Sequence, residues 1–417
     1  MAGSNLAAVA PHRFHNDWLS REELDQLTPA KLIQRASDLR DLVDANAQEA
    51  ERLRHPVDSV MAAIRRAGLF YHFVPKMYGG LEFDVESFVD TILPIAEGCT
   101  STGWVTGFCI QHNFLVAQFP KQTQDEIFGS FPYVITAGSG SPPAKGVRVP
   151  GGLKLSGHLK YASGIMHADY FQCNALVPTD GPNPGLIFCL IPVEEITILD
   201  AWFVDGMAGS GSQDVLLEDV FVPTHRSLVF EDLREGRAFG YEIHKNPLYR
   251  ASVDIILNIS SATPAIGAAR AAVALFRKRI LERASPDSNG KQSVKSTSQI
   301  RLSEAALAAW TGEMIIREMA RQIRVAAEED ISLPLKKRIQ MRARIAYAVD
   351  LARHAVRTVL DGGGSSAHFL SNPLQRYARD VATISSHVIY DMDLVRELLA
   401  QTFIESTSPT NDTSFFI

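Results

Sequence analysis

The four cysteines in 417 residues, Cys99, Cys109, Cys173 and Cys189, have spacings that match no zinc or iron–sulfur pattern and no paired disulfide framework. They read as reduced, mostly buried thiols. No run of lysine and arginine stands out either: 41 basic against 47 acidic side chains give a formal charge of −6, which argues against a polyanion-binding surface. No stretch approaches about 18 uninterrupted apolar residues, and the N-terminal MAGSNLAAVAPHRFHNDW has no basic segment followed by an apolar one. No strand-GxGxxG-helix unit occurs, so no resident nicotinamide site is expected. These absences lead to the expectation of a soluble, cytoplasmic protein with no nucleic-acid and no membrane partner.

What is present is ample core material, 46 % hydrophobic residues, in a chain long enough for two or three domains. Apolar residues recur at three- and four-residue steps in LIQRASDLRDLVDANAQEAERL, PVDSVMAAIRRAGLF and DVESFVDTILPIAEG, which predicts helices between residues 21 and 132. From residue 133 the texture changes to short β-branched stretches, YVITAGSG, GGLKLSGHLKYASG, YFQCNALV, GLIFCLIP and DVLLEDVFVP, with Gly151-Gly152 as a hairpin turn. Helical periodicity returns in four long segments near 254–283, 297–328, 335–361 and 374–404, enough for an antiparallel bundle. The expected class is α+β: a tail over 1–20, a helical domain over 21–132, a β-barrel-like domain over 133–240, a four-helix bundle over 241–405 and a polar tail over 406–417.

That order resembles the acyl-CoA dehydrogenase fold, and local motifs carry the likeness: YGGLEFDVESF, the hairpin GGLKLSGHLKYASG, DGMAGSGSQDVLLEDVFVP and LQRYARD, spread over residues 50 to 400. Within that superfamily STGWVTGFCIQHN, SGIMHADY, KQTQDEIFG and RDVATISSHVIYDMD are similar to the oxygenase components of two-component flavin-dependent monooxygenases. Many true dehydrogenases carry a proton-abstracting Glu after the Arg-Asp motif; here Ser385-Ser386-His387-Val388 stands in that neighbourhood. Without that carboxylate, thioester desaturation loses its base. The resemblance therefore implies hydroxylation or epoxidation of a small aromatic substrate, phenol or indole, by reduced flavin and O2 through a C4a-hydroperoxyflavin. The alternatives are an N- or S-oxidising flavin monooxygenase or a dehydrogenase-type flavoenzyme of the same fold. A scaffold that has lost its flavin is a further alternative, disfavoured by Ser163, His112 and His387 occurring together.

The same resemblance implies roles for residues. Ser163 would face the flavin N5 region, where a hydroxyl can both donate and accept, and Gly164 would let the backbone come close. His387 would sit on the oxygen side and His112 on the substrate side, there to deprotonate or hydrogen-bond a phenol, or to orient an indole N–H. Trp104 and Tyr161 would border the flavin or substrate, and Thr136, Ala137, Ser139 and Ser141 would offer groups to the pyrimidine edge. Arg250, and Gly363 and Ser365 of the GGGSS turn, are candidates for the phosphate. Gln375, Arg376, Arg379 and Asp380 read as an ion-paired helix start, and His167 and Asp169 as orienting the strand or its turn. The flavin would be reduced FMN, or FADH2, delivered by a separate NAD(P)H-dependent reductase, and the chain would form a homotetramer.

Overall fold

A computed structural model describes residues 6–12, 18–181, 183–283 and 292–404. The tail expected over 406–417 and most of the SPDSNGKQS connection lie outside the described residues. The N-terminal half is built from α1 (Arg21–Asp25), α2 (Pro29–Asp38), α3 (Arg40–Ala45), α4 (Ala47–Leu53), α5 (Asp58–Ala67), α6 (Val85–Gly98), α7 (Thr100–Val116) and α8 (Lys121–Phe128). The single periodic run expected over residues 32–53 is thus three short helices that turn around the core. α6 opens on Asp84, whose carboxylate accepts from the Ser87 N–H at 2.7 Å.

The central strands are β1 (Ala8–Val9), β2 (Thr136–Val149), β3 (Gly152–Ala162), β4 (Tyr170–Val177), β5 (Gly185–Pro192), β6 (Thr197–Leu199), β7 (Gln213–Pro223) and β8 (Ser227–Val229). They form one eight-stranded sheet in the order β1-β6-β7-β3-β2-β4-β5-β8. The barrel-like expectation therefore becomes an open ladder among the described residues, with its edges blunted by strands of two and three residues. Part of the expected N-terminal tail joins it, since Ala8 and Val9 pair with Leu199 and Ile198. The hairpin β2–β3 turns at Gly151, φ +83°. β2 and β4 are parallel, with Thr136 opposite Tyr170. The start of β2, the end of β3 and the start of β4 consequently share one end of the sheet.

After α9 (Phe230–Arg234) and α10 (Gly240–His244) come the long helices α11 (Val253–Glu282), α12 (Ser296–Glu328) and α13 (Leu335–Gly362), then α14 (Pro373–Ser385) and α15 (Met392–Ile404). α11 packs against α6, α7, α12 and α13, so it is apolar nearly all round; Ile255, Ile256, Ile259 and Ile266 are all buried. Each such isoleucine contributes roughly 1.5–3 kcal/mol over an exposed one. α11 is long and apolar enough to cross a bilayer, and its apolar window is mostly buried inside the bundle. The helix expected over 374–404 is broken by a 3-10 turn at Val388–Tyr390. The imidazole of His387 accepts from the Ile389 N–H there, while Arg342 of α13 donates to the carbonyls of Val388 and Ile389, each at 3.0 Å. Those carbonyls answer a guanidinium instead of continuing a helix.

Candidate active site

On α7, Trp104, Phe108 and His112 are spaced by four residues and so stand on one face. Their rings form a row, with centroids 4.9 Å apart between Trp104 and Phe108 and 5.5 Å between Phe108 and His112. His387, from the break between α14 and α15, closes on the Trp104 end at 6.1 Å. Two histidines distant in sequence therefore flank one aromatic row. Phe108 is the member that motif reading missed; the i, i+4, i+8 spacing was the available signal.

The two imidazoles have opposite hydrogen-bonding character. His112 Nδ1 lies 2.7 Å from the carbonyl oxygen of Thr136, which only accepts, so Nδ1 carries the proton and Nε2 the lone pair. Burial lowers its pKa to about 4, so the ring is neutral near pH 7. His387 Nδ1 accepts from the Ile389 N–H at 3.3 Å, which leaves the proton of its neutral ring on Nε2. Desolvation, with the charge of Arg342 adding to it, lowers its pKa to about 4 as well. One ring is a hydrogen-bond acceptor and the other a donor.

Ser163 lies at the end of β3, where the chain turns toward α7. Its Oγ accepts from Trp104 Nε1 at 3.0 Å and lies 2.7 Å from Ser212 Oγ, which is 2.7 Å from Ser210 Oγ. Gly164 donates its N–H to the Ser210 carbonyl at 2.9 Å. Its φ of +76°, and the 2.9 Å approach a Cβ would make to Val105, explain why no side chain stands there. Ser210 and Ser212 lie within DGMAGSGSQDVLLEDVFVP, where nothing local marks which serine of the loop faces Ser163. That loop is held by Asp380, which accepts from the Met207 N–H at 2.6 Å and whose pKa burial raises to about 6. Arg379 binds Glu51, Gln375 and the Asp205 carbonyl.

The β2 side supplies Thr136, whose Oγ1 accepts from Gln172 Nε2 at 2.8 Å, and Ser139, whose Oγ donates to the Lys160 carbonyl at 2.9 Å. The β2–β4 register shifts between Ser139 and Ala144, the stretch that holds Ser141. Ala137 is buried, and Gly138 faces the His112 ring, where a Cβ would come within 3.4 Å of Cε1. The buried Oε1 of Gln172 and Oδ1 of Asn174 have no hydrogen-bond partner. The Ser163 hydroxyl, the Trp104 indole wall and the close backbone approach at Gly138 and Gly164 together fit a flavin.

Other expected residues stand elsewhere. Tyr161 is 59 % exposed at φ +69°, its ring 6.1 Å from that of Trp202. Arg250 stacks on Tyr241, 3.7 Å from the ring centroid, and pairs with Asp330. Gly363 caps α13, and its carbonyl accepts from Arg279, which also donates to Ser366; Ser365 begins the next 3-10 turn. His167 and Asp169 do hold the turn: His167 Nε2 lies 2.9 Å from the Pro56 carbonyl oxygen, and Asp169 accepts from the Ile135 N–H at 3.0 Å. A cavity of about 250 Å³ beside the α14–α15 break is lined by Asp350, Arg353, Ser385, Ser386 and Tyr390 among others, and by neither Ser163 nor His112. It is separate from the aromatic row.

Residues 259–392 match the family model described as acyl-CoA dehydrogenase, C-terminal domain. A pigment production hydroxylase of Rhodococcus sp. is 33 % identical over 376 residues, 90 % of this chain and 96 % of that protein. An FADH(2)-dependent resorcinol hydroxylase, oxygenase component, of Rhizobium sp. is 30 % identical, covering 93 % of this chain and 98 % of that one. Among solved structures, XiaF from Streptomyces sp. in complex with FADH2 and glycerol superposes with a TM-score of 0.86 at 30 % identity, over 94 % of this chain and 99 % of that chain.

Proposed function

Because the chain belongs to the oxygenase components of two-component flavin-dependent monooxygenases, on the acyl-CoA dehydrogenase fold, we propose that its substrate is a small phenol, held through its hydroxyl at His112. The enzyme uses reduced flavin and O2, and a separate flavin reductase supplies the flavin. When bound, reduced flavin provides the electrons that activate O2, so that one oxygen atom enters the substrate and the other leaves as water.

The observation that carries the reading is the complementary pair of neutral imidazoles flanking Trp104 and Phe108. His112 Nε2, with Nδ1–H anchored on Thr136, accepts the proton of the phenol and so raises electron density in the ring to be attacked. The same lone pair would accept an indole N–H, which keeps indole within the class. His387 Nε2–H donates to developing negative charge on oxygen. Ser163, oriented by Trp104 and Ser212, holds the polar edge of the flavin, and the rings of Trp104 and Phe108 exclude water. Thr136, Ala137 and Ser139 provide the strand edge along the pyrimidine side, and Tyr161 a further ring face.

For the phosphate end we keep Arg250, Gly363 and Ser365. Support comes from the open surface at Gly364, where a Cβ would meet nothing within 4 Å. A guanidinium whose partner, Asp330, is itself exposed can exchange that partner for phosphate. The chain forms a homotetramer in this reading, supported by a stripe of Ile300, Leu307, Trp310 and Met314 along α12, each 60 % exposed or more. A monomeric mass by light scattering would remove that part.

The deciding experiment supplies the protein with FMN or FAD reduced by a separate NADH:flavin reductase, under 18O2, with resorcinol, other simple phenols and indole. One labelled oxygen per product molecule from a phenol supports the reading. Stoichiometric hydrogen peroxide with no labelled product from any phenol or indole rejects it.

A further inference from the structure

Four residues beyond Ser163, His167 belongs to a second histidine cluster that the oxygenation chemistry does not use. His55 sits in the loop between α4 and α5, Asp58 opens α5, and His167 ends the 3-10 turn that follows Gly164. One ligand-capable atom from each of these three lies within 4.8 Å of the other two. His12, from the N-terminal arm, joins them: its Nδ1 is 3.1 Å from Asp58 Oδ2, its ring centroid is 4.9 Å from that of His55, and its backbone N–H donates to the Met166 carbonyl.

The tautomers are set by a shared acceptor. His55 Nδ1 and His167 Nε2 each lie 2.9 Å from the carbonyl oxygen of Pro56, so both of those nitrogens carry protons. The opposite nitrogen of each ring keeps its lone pair. On His167, a fully buried side chain, that nitrogen is Nδ1, and it has no hydrogen-bond partner. It faces Asp58 Oδ1 at 3.9 Å, itself a buried oxygen without a partner. An imidazole lone pair directed at a carboxylate oxygen is repulsive unless something cationic stands between them.

We propose that His55, Asp58 and His167 form a three-ligand zinc-type site whose fourth position is left to water, with His12 orienting Asp58 from behind. Two imidazole nitrogens and one carboxylate oxygen suit Zn2+, which takes such donors at about 2.0–2.2 Å in tetrahedral geometry. Tetrahedral ligand atoms stand roughly 3.3 Å apart at those bond lengths, so the pair at 3.9 Å and the set within 4.8 Å must draw together around the ion. With the Pro56 carbonyl taking one N–H from each ring, the remaining nitrogen of each neutral ring offers the lone pair that binds metal. The arrangement of a carboxylate whose second oxygen is bound by another histidine matches the way outer groups orient metal ligands.

The site staples three segments in a chain whose cysteines are all free: the N-terminal arm, the α4–α5 loop and the turn leaving Ser163-Gly164. It also braces the serine loop, because a Cβ on Gly211 would meet His55 Cβ at 3.1 Å. The ion thus ties the turn after Ser163-Gly164 to the loop that carries Ser210 and Ser212.

The test needs neither flavin nor substrate. The full chain is freed of metal with a chelating resin and titrated with Zn2+ against a chromophoric chelator, while thermal unfolding is followed with Zn2+ or Mg2+. The expected result is one Zn2+ per chain and a Tm raised by Zn2+ and not by Mg2+. Asp58→Asn and His55→Gln should each weaken Zn2+ by at least about tenfold, and His12→Ala by about tenfold or somewhat more as the orienting group. His167→Ala should abolish binding; if it fails to fold, the partly exposed Asp58→Asn carries the decision. Absence of stoichiometric Zn2+ in the wild type, or binding unchanged in Asp58→Asn and His55→Gln, overturns the proposal.

Discussion

His112 and His387 perform complementary tasks from opposite kinds of structure. His112 belongs to a 17-residue helix that is buried almost throughout, and its ring is fixed by a single strand carbonyl. His387 belongs to an interruption between two helices, and its position depends on other residues: Arg342 holding two carbonyls, and Tyr390 bonding the Asn258 carbonyl and Ser261 on α11. An acceptor that must stay unprotonated is placed where burial is complete. A donor that must point along one direction is placed where the backbone can be bent to aim it.

The largest expected effect breaks the acceptor. His112→Ala removes the group that takes the substrate proton, and general-base catalysis of this kind is worth about 10²–10⁴ in rate. Product formation should fall by roughly 10²-fold or more, with flavin oxidation continuing as hydrogen peroxide release. Measurement of product and peroxide together checks it; equal loss of both would place His112 in flavin binding instead. His112→Gln, which keeps an acceptor, should recover part of the lost rate.

A smaller effect tests the donor and its support together. His387→Ala should shift the products toward hydrogen peroxide by about tenfold, the loss of one hydrogen bond to charge in a desolvated site being worth about 1.5–3 kcal/mol. Arg342→Met should reproduce part of that shift, because releasing the Val388 and Ile389 carbonyls lets the break relax and mis-aims the ring. If Arg342→Met lowered stability and left the product-to-peroxide ratio unchanged, the aim of His387 would not depend on the break.

The contrast also explains what the sequence made legible. The row from Trp104 to His112 repeats every four residues on a regular helix, and Ser163-Gly164 ends a hairpin whose turn residues are local, so both could be located from the chain. The end of a helix at Ser385 has no proline or glycine to announce it; it is imposed by Arg342, far upstream on α13, and by the hydroxyl of Tyr390. Ser210 and Ser212 were hidden for the same reason, since their partners are Ser163 and, through Met207, Asp380. The fold class followed from periodicity and motif order, which are properties of segments. The open ladder and the role of Ala8 and Val9 as its edge depend on pairings between segments distant in the chain.

The mildest perturbation is acid. His112 and His387 have folded pKa values of about 4, below the unfolded value near 6.5, so the unfolded chain binds more protons between those limits. Their contribution to stability is complete above about pH 6.5 and declines as pH falls toward 4, by on the order of 1 kcal/mol per pH unit for each buried imidazole. Asp380 opposes this and offsets about one of the two imidazoles: its pKa, raised to about 6, makes the folded state bind the extra proton between about 4 and 6. Urea unfolding midpoints should therefore fall from pH 7 to pH 5, and His112→Gln should flatten the slope by about one proton. An unchanged slope in that variant would mean that His112 titrates normally in the folded chain, and a neutral acceptor at pH 6 would then have to be held there by the substrate.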